Sequence, residues 1–135
     1  MEKSRCFVDT SALIALNNVN DQYHTKARDI ASKLTNIEFI ISDAIINETY
    51  NILRYRIGYH RASFFLKTVL AGPPFIIADI DVLIRKTASQ ILEQYSDQKI
   101  SYCDAISVSL MKEQKIQKIF AFDHHFEVMG VELYL

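Results

Sequence analysis

The sequence predicts a single three-layer α/β/α domain over residues 1–135, with a central, mainly parallel sheet of four to five strands. Three observations predict it. Short apolar runs rich in β-branched residues alternate with longer amphipathic stretches, the pattern of βα units whose sheet is covered on both faces. Half of the residues are hydrophobic while only three are Gly and two are Pro, which disfavours disorder and a loop-rich all-β fold. A length of 135 residues suits one compact core, and no repeat, low-complexity tract or linker divides it.

The elements follow in order. Cys6, Phe7 and Val8 form a short apolar strand that stops at Asp9, and Thr10 or Ser11 caps a helix beginning Ala12, Leu13, Ile14. Asp21 to Leu34 is an amphipathic helix, and Ile37 to Ile41 a β-branched second strand. Ser42 or Asp43 caps a long helix to about Ile57, closed by Gly58, and another helix runs from about His60 to Leu70. After Gly72, Pro73 and Pro74, a third strand spans Phe75 to Ile77. A helix from Asp79 to Tyr95 carries apolar residues at positions 80, 83, 84, 88, 91 and 92. Ser101 caps a helix to about Gln114, Ile119 to Phe122 form a fourth strand ending at Asp123, and Val131 to Leu135 supply a fifth.

Charge and cysteine usage narrow the function classes. With 15 basic and 16 acidic residues the net charge is −1, so a polyanion partner must be met locally and not by bulk charge. Cys6 and Cys103 lie far apart with no CxxC spacing, which points to buried thiols and away from zinc or a redox pair. The N-terminal residues have an acid near the start and an apolar stretch broken by Asp9, Thr10 and Ser11, unlike a signal peptide, so a cytoplasmic location is expected. The longest apolar region, Phe64 to Ile84, is interrupted by Lys67, Gly72, Asp79 and Asp81, short of the ~20 residues a membrane span needs.

Four acids occupy places where structure alone gives little reason for an acid. Asp9 and Asp123 each close an apolar strand, and in open parallel sheets ligands bind in the crevice beyond the carboxyl ends of the strands. Glu48 falls on the helical arc of Ala44, Ile45, Ile52 and Tyr55, with Asn47, Asn51 and Arg54 on the polar side. Asp104 shares a stripe with Val108 and Met111, opposite Ala105, Ser109 and Lys112. Structural roles are open to each alone: Asp9 as a helix cap, Glu48 as a border residue, Asp104 as the third residue of a capping box begun by Ser101, and Asp123 as a cap on the turn at His124. Together, however, two strand ends and two helix arcs can face one crevice. So many carboxylates in one place repel one another unless a cation neutralises them. An all-oxygen ligand set suits Mg²⁺ or Mn²⁺, ions that activate water and orient phosphodiesters for hydrolysis.

These residues, in this order, resemble the PIN-domain family, and specifically the VapC-type toxin ribonucleases of type II toxin–antitoxin pairs. The resemblance runs from Phe7, Val8, Asp9, Thr10 and Ser11, through Glu48 and then Asp104 with Ala105, to the stretch Phe122 to Phe126 followed by Gly130. It implies an acidic tetrad of Asp9, Glu48, Asp104 and Asp123, with Thr10 or Ser11 as a supporting polar group. It further implies Mg²⁺ or Mn²⁺, endonucleolytic cleavage of RNA, a small cognate antitoxin and a homodimer. A catalytically inactive PIN-like module that binds RNA or protein is the alternative within the same fold.

Other features bear on partners. Arg54, Arg56 and Arg61, interleaved with Tyr55, Tyr59 and His60, form the one basic-aromatic cluster and are candidate RNA contacts; arginine stems covering apolar surface are the competing role. Phe64, Phe65 and Leu66 are consecutive, so one helix face cannot bury all three, and the surplus aromatic marks an antitoxin groove, a dimer surface or extra core. His124 and His125 adjoin Asp123 and receive no role. A haloacid-dehalogenase phosphatase needs an aspartate two residues after Asp9, where Ser11 stands. A receiver domain would leave Glu48 unexplained.

Overall fold

The computed structural model describes residues 3–134. Five strands, β1 (Ser4–Val8), β2 (Ile37–Ser42), β3 (Phe75–Ala78), β4 (Lys118–Phe120) and β5 (Glu132–Leu133), form one sheet in the order β3-β2-β1-β4-β5. Every pairing is parallel. The helices are α1 (Thr10–Asn17), α2 (His24–Lys33), α3 (Asp43–Arg56), α4 (Tyr59–Leu70), α5 (Val82–Gln94), α6 (Tyr102–Gln114) and α7 (His125–Val128). The expected α/β architecture is therefore observed. Among the described residues no helix is long and apolar enough to cross a membrane.

The chain first builds β1, β2 and β3 outward to one side and then returns to lay β4 and β5 on the other. The direction of winding thus reverses between β1 and β4, and at such a switch point the connections diverge and open a crevice at the carboxyl edge. The two strands are in register at Phe7 with Ile119 and Val8 with Phe120, and the Asp9 N–H donates to the Phe120 carbonyl at 3.0 Å. Burial explains why β1 holds the centre: Cys6 and Phe7 are fully buried and Val8 nearly so, as expected of a strand covered on both faces.

Several boundaries and faces differ from expectation, each for a local reason. α1 begins at Thr10 because the cap is Asp9, whose Oδ2 accepts from the Ser11 N–H at 3.1 Å; neither Thr10 nor Ser11 caps it. α2 starts at His24, since the Asp21 carboxylate accepts from the Tyr23 N–H at 2.8 Å and holds a turn there. α5 starts at Val82 for the same kind of reason, Asp81 accepting from the Ile84 N–H at 2.9 Å. β4 ends at Phe120, so Asp123 lies three residues beyond the strand. What reads as a turn at His124 is followed by the short helix α7. β5 is confined to Glu132–Leu133, and Leu135 lies outside the described residues.

Three helical faces also depart from the periodicity. α6 is buried from Asp104 through Met111, including Ala105 and Ser109, because it packs on more than one neighbour; the Ser109 hydroxyl donates to the Ile84 carbonyl at 2.9 Å. Only Lys112 of the expected polar side is exposed. Tyr55, two turns beyond Glu48 on the same side of α3, is 87% exposed and not buried with that arc, and Leu83 is exposed while Ile84, Ala88 and Ile91 carry the buried face of α5.

Candidate active site

The crevice at the β1/β4 switch point is lined by Asp9, Glu48, Asp104 and Asp123, so the structure brings the four sequence-selected acids to one cleft. Each arrives by a different route. Asp9 is the first residue past β1. Glu48 stands one turn into α3, whose entry Ser42 fixes by accepting from the Ile45 N–H. Asp104 sits in the first turn of α6, and Asp123 follows β4.

Asp9 is 2% exposed and divided in its bonding. Its Oδ2 accepts from the Ser11 hydroxyl at 2.7 Å as well as from the Ser11 N–H, whereas Oδ1 is buried without a partner. Removal from water pushes the carboxyl up to about 7; the Ser11 hydroxyl opposes that rise, and the charges of Asp104 and Asp123 add to it. Ser11 also accepts from the Phe122 N–H at 3.0 Å, so a single hydroxyl ties the end of β1 to the segment leaving β4. Thr10 and Thr49 meet through their hydroxyls at 3.4 Å, joining α1 to α3 beneath Glu48. Of the two polar residues beside Asp9, Ser11 hydrogen-bonds its carboxylate and Thr10 is paired with Thr49.

Asp104 resolves its two sequence roles by using different atoms. Its backbone N–H donates to the Ser101 hydroxyl at 3.0 Å, which caps α6, while its carboxylate turns to His125, Oδ2 lying 2.8 Å from Nε2. The side chain makes no return bond to Ser101, so capping does not consume the acid. Cys103, half-buried beside these groups, has its thiol pushed well above the ordinary range by burial first and then by the charges of Glu48, Asp104 and Asp9. Cys6 is fully buried and its thiol is pushed up to about 12, again by burial. Neither cysteine is bonded to another.

The sequence assigns His125 no role, because its reach to Asp104 depends on α7, which periodicity does not reveal in four residues. Tyr23 carries no sequence signal either. It lines the crevice and stacks on Phe122, with ring centroids 4.5 Å apart and planes 1° from parallel. Of the three candidate arginines, Arg56 lines the crevice, Arg61 lines a groove adjoining it, and Arg54 is exposed and is not a lining residue. A helix turns about 200° over two residues, so Arg54 and Arg56 cannot share a side of α3.

The donor set bears on the expected ion. Among the described residues no three His, Cys, Asp or Glu side chains close into a group able to hold a metal by themselves, so the tetrad is a shared lining and not a preformed shell. The donor chemistry still fits Mg²⁺ or Mn²⁺, since Mg²⁺ is ordinarily bound by one or two carboxylates together with waters and phosphate oxygens. The unpartnered Asp9 Oδ1, on one of four carboxylates that line the cleft, is the atom such an ion would satisfy.

A model of the PIN domain matches residues 6–132. In sequence the chain is 30% identical over 125 residues to the 23S rRNA-specific endonuclease VapC20 of Mycobacterium tuberculosis, covering 92% of this chain and 93% of that protein. In structure it is similar to the crystal structure of M. tuberculosis VapC20, described as a sarcin-ricin loop cleaving toxin, with a TM-score of 0.88 at 26% identity over 95% of this chain and 96% of that one. FitAcB of Neisseria gonorrhoeae (TM-score 0.72, 12% identity, 96% of each chain) shares the fold. So does VapBC2 of Rickettsia felis bound to a DNA fragment from its promoter (TM-score 0.69, 14% identity, 96% of each chain).

Proposed function

Because the chain belongs to the PIN-domain family, we propose that it is a divalent-metal-dependent endoribonuclease, the toxin of a toxin–antitoxin pair, with Asp9, Glu48, Asp104 and Asp123 as its catalytic acids. The observation that carries this reading is the convergence of those four acids on one crevice at the switch point, with a buried Asp9 oxygen left bare. The VapC20 relative is a 23S rRNA-specific endonuclease, which makes ribosomal RNA the first substrate to try.

Asp9, with Asp104, Asp123 and Glu48 around it, would hold Mg²⁺ or Mn²⁺. When bound, that ion supplies Lewis acidity toward a phosphodiester and a water of lowered pKa. The chain's own residues set the stage. Ser11 fixes the Asp9 carboxylate by two hydrogen bonds to one oxygen and leaves the other without a partner. His125 orients Asp104. Arg56 brings a positive charge to the crevice wall, where a substrate phosphate would otherwise meet only carboxylates. Exposed apolar side chains, Phe64 and Leu70 of α4 and Val82 and Leu83 of α5, offer surface for a small antitoxin and for a second copy of the chain.

The test is RNA incubated with purified protein in Mg²⁺ or Mn²⁺, and then in chelator, beside Asp9→Asn and Asp104→Asn. The expected outcome is cleavage that needs the ion and falls at least ~100-fold in each variant. RNA binding that survives both substitutions with no cleavage by the wild type would instead identify an inactive binding module. Phosphate release from small phosphoesters would identify a phosphatase.

A further inference from the structure

The fourth acid is the least secured of the set. Asp9 is anchored by Ser11, Asp104 by His125, and Glu48 rides on α3, whereas the Asp123 carboxylate is exposed and, among the described residues, makes no hydrogen bond or ion pair. It stands on a stretch that belongs neither to the sheet nor to α7, since β4 ends at Phe120 and α7 begins at His125. The Asp123 carbonyl accepts from the Phe126 N–H at 3.4 Å, a long bond. A carboxylate without partners of its own points where its backbone sends it. The hold on Phe122, the residue before it, therefore decides where the charge lies.

Phe122 is held at two points. Its N–H donates to the Ser11 hydroxyl at 3.0 Å, which fixes the peptide. Its ring lies flat against Tyr23, centroids 4.5 Å apart and planes 1° from parallel, and meets Phe120 edge-to-face at 6.1 Å. Tyr23 is itself fixed at its base, where its N–H donates to the Asp21 carboxylate and its carbonyl accepts from the Ala27 N–H, both at 2.8 Å. The stack thus joins two rigid mounts far apart in sequence, the start of α2 and the end of β4. A ring placed only to fill the core would be covered, yet Tyr23 is 38% exposed and lines the acidic crevice with Asp123, while Phe122 beneath it is 7% exposed.

We propose that Tyr23 is a positioning residue for Asp123, acting through the Phe122 ring. This rests on the reading of Asp123 as a metal ligand in the proposed nuclease. Clamped between Tyr23 and Phe120, the Phe122 ring keeps one rotamer, and the peptide that carries Asp123 keeps one course. Without the Tyr23 ring, one face of Phe122 opens to water, other rotamers become accessible, and the acid next to it spreads over several positions. Residues that orient a ligand typically change metal affinity about 10- to 100-fold. Tyr23 acts at one further remove, so the lower end of that range is expected.

Ion binding is read without RNA, from the electron paramagnetic resonance signal of free Mn²⁺. Tyr23→Ala should weaken Mn²⁺ binding about 10-fold, and Tyr23→Phe, which keeps the flat ring, should restore it. In Asp123→Asn, which retains the other three acids, adding Tyr23→Ala should cost nothing further, since a residue that acts through Asp123 has nothing left to place. Tyr23→Leu covers Phe122 without lying flat on it; it should show a smaller loss with the same dependence on Asp123, and it carries the test if Tyr23→Ala does not fold. In RNA cleavage at limiting Mn²⁺, Tyr23→Ala should lower kcat and spare KM, and about 10-fold more Mn²⁺ should recover the rate. Unchanged Mn²⁺ affinity in Tyr23→Ala, no recovery in Tyr23→Phe, or a further loss on top of Asp123→Asn would overturn the inference, even if the wild type cleaves RNA. If these binding results hold while the wild type cleaves nothing, Tyr23 keeps its role and the nuclease reading falls.

Discussion

One aspartate oxygen bonded and the other bare makes Asp9 the most informative residue in the chain. A free aspartate titrates near 3.8, and burial here lifts the folded value to about 7. Folding therefore takes up a proton between about pH 4 and pH 7, and in chelator stability falls as pH rises through that window, then levels off above it. Asp9→Asn keeps the shape, still accepts from Ser11 and cannot ionise. Its Tm in chelator should exceed the native value by roughly 5 °C at pH 8 and converge with it near pH 4. Equal melting curves at pH 8 would contradict the burial account. His125 acts through Asp104, so His125→Ala should lower cleavage and apparent metal affinity together, by about 10- to 100-fold, with little change in Tm. The acids are legible in the sequence because charge at a strand end or on an apolar arc lacks a local reason. His125 and Tyr23 are not, because their meaning depends on contacts to Asp104 and Phe122, which lie far away in sequence.

At the scale of elements, the sequence marks where helices and strands lie better than which side chains they bury. Caps explain most shifted boundaries: Asp9, Asp21 and Asp81 each hold the chain just before a helix, and short acids are ambiguous between cap, turn and first helical residue until the geometry is known. Periodicity fails on α6 for a different reason, since a helix packed on several sides has no polar face to read. Between α3 and α4, Gly58 adopts φ +141° with its N–H donating to the Leu53 carbonyl at 3.0 Å, a conformation that side chains other than glycine rarely take. Gly58→Ala meets open space, so its cost is backbone strain alone; a loss of about 1–2 kcal/mol in denaturant unfolding is expected. A smaller loss would mean that the α3/α4 corner relaxes freely.

Taken as a whole, the molecule is a parallel sheet whose strands all point their carboxyl ends the same way, which is why a chain of modest charge can gather acids at one edge. The short apolar strands make this legible, but not the strand order, because the position of β1 between β2 and β4 is a property of long-range pairing. Surface apolar groups pose the remaining whole-molecule question. Phe64 is 60% exposed on α4 while its neighbour Phe65 is buried. If α4 forms a contact between two copies, light scattering should give twice the 15.6 kDa of one chain, and Phe64→Glu should return it to a single copy without lowering Tm. An unchanged mass would place the contact elsewhere.

The Ser11 hydroxyl grasps the Phe122 N–H across 111 positions of sequence. Such a clasp forms only once Phe122 has left the ribosome and the long loop between the two residues can close. A polypeptide cut short before β4, by a premature stop or a protease, lacks Asp123 and the strand against which Asp9 is set. On the nuclease reading such a fragment is harmless, so the fold itself withholds toxicity until β4 has been made and paired with β1.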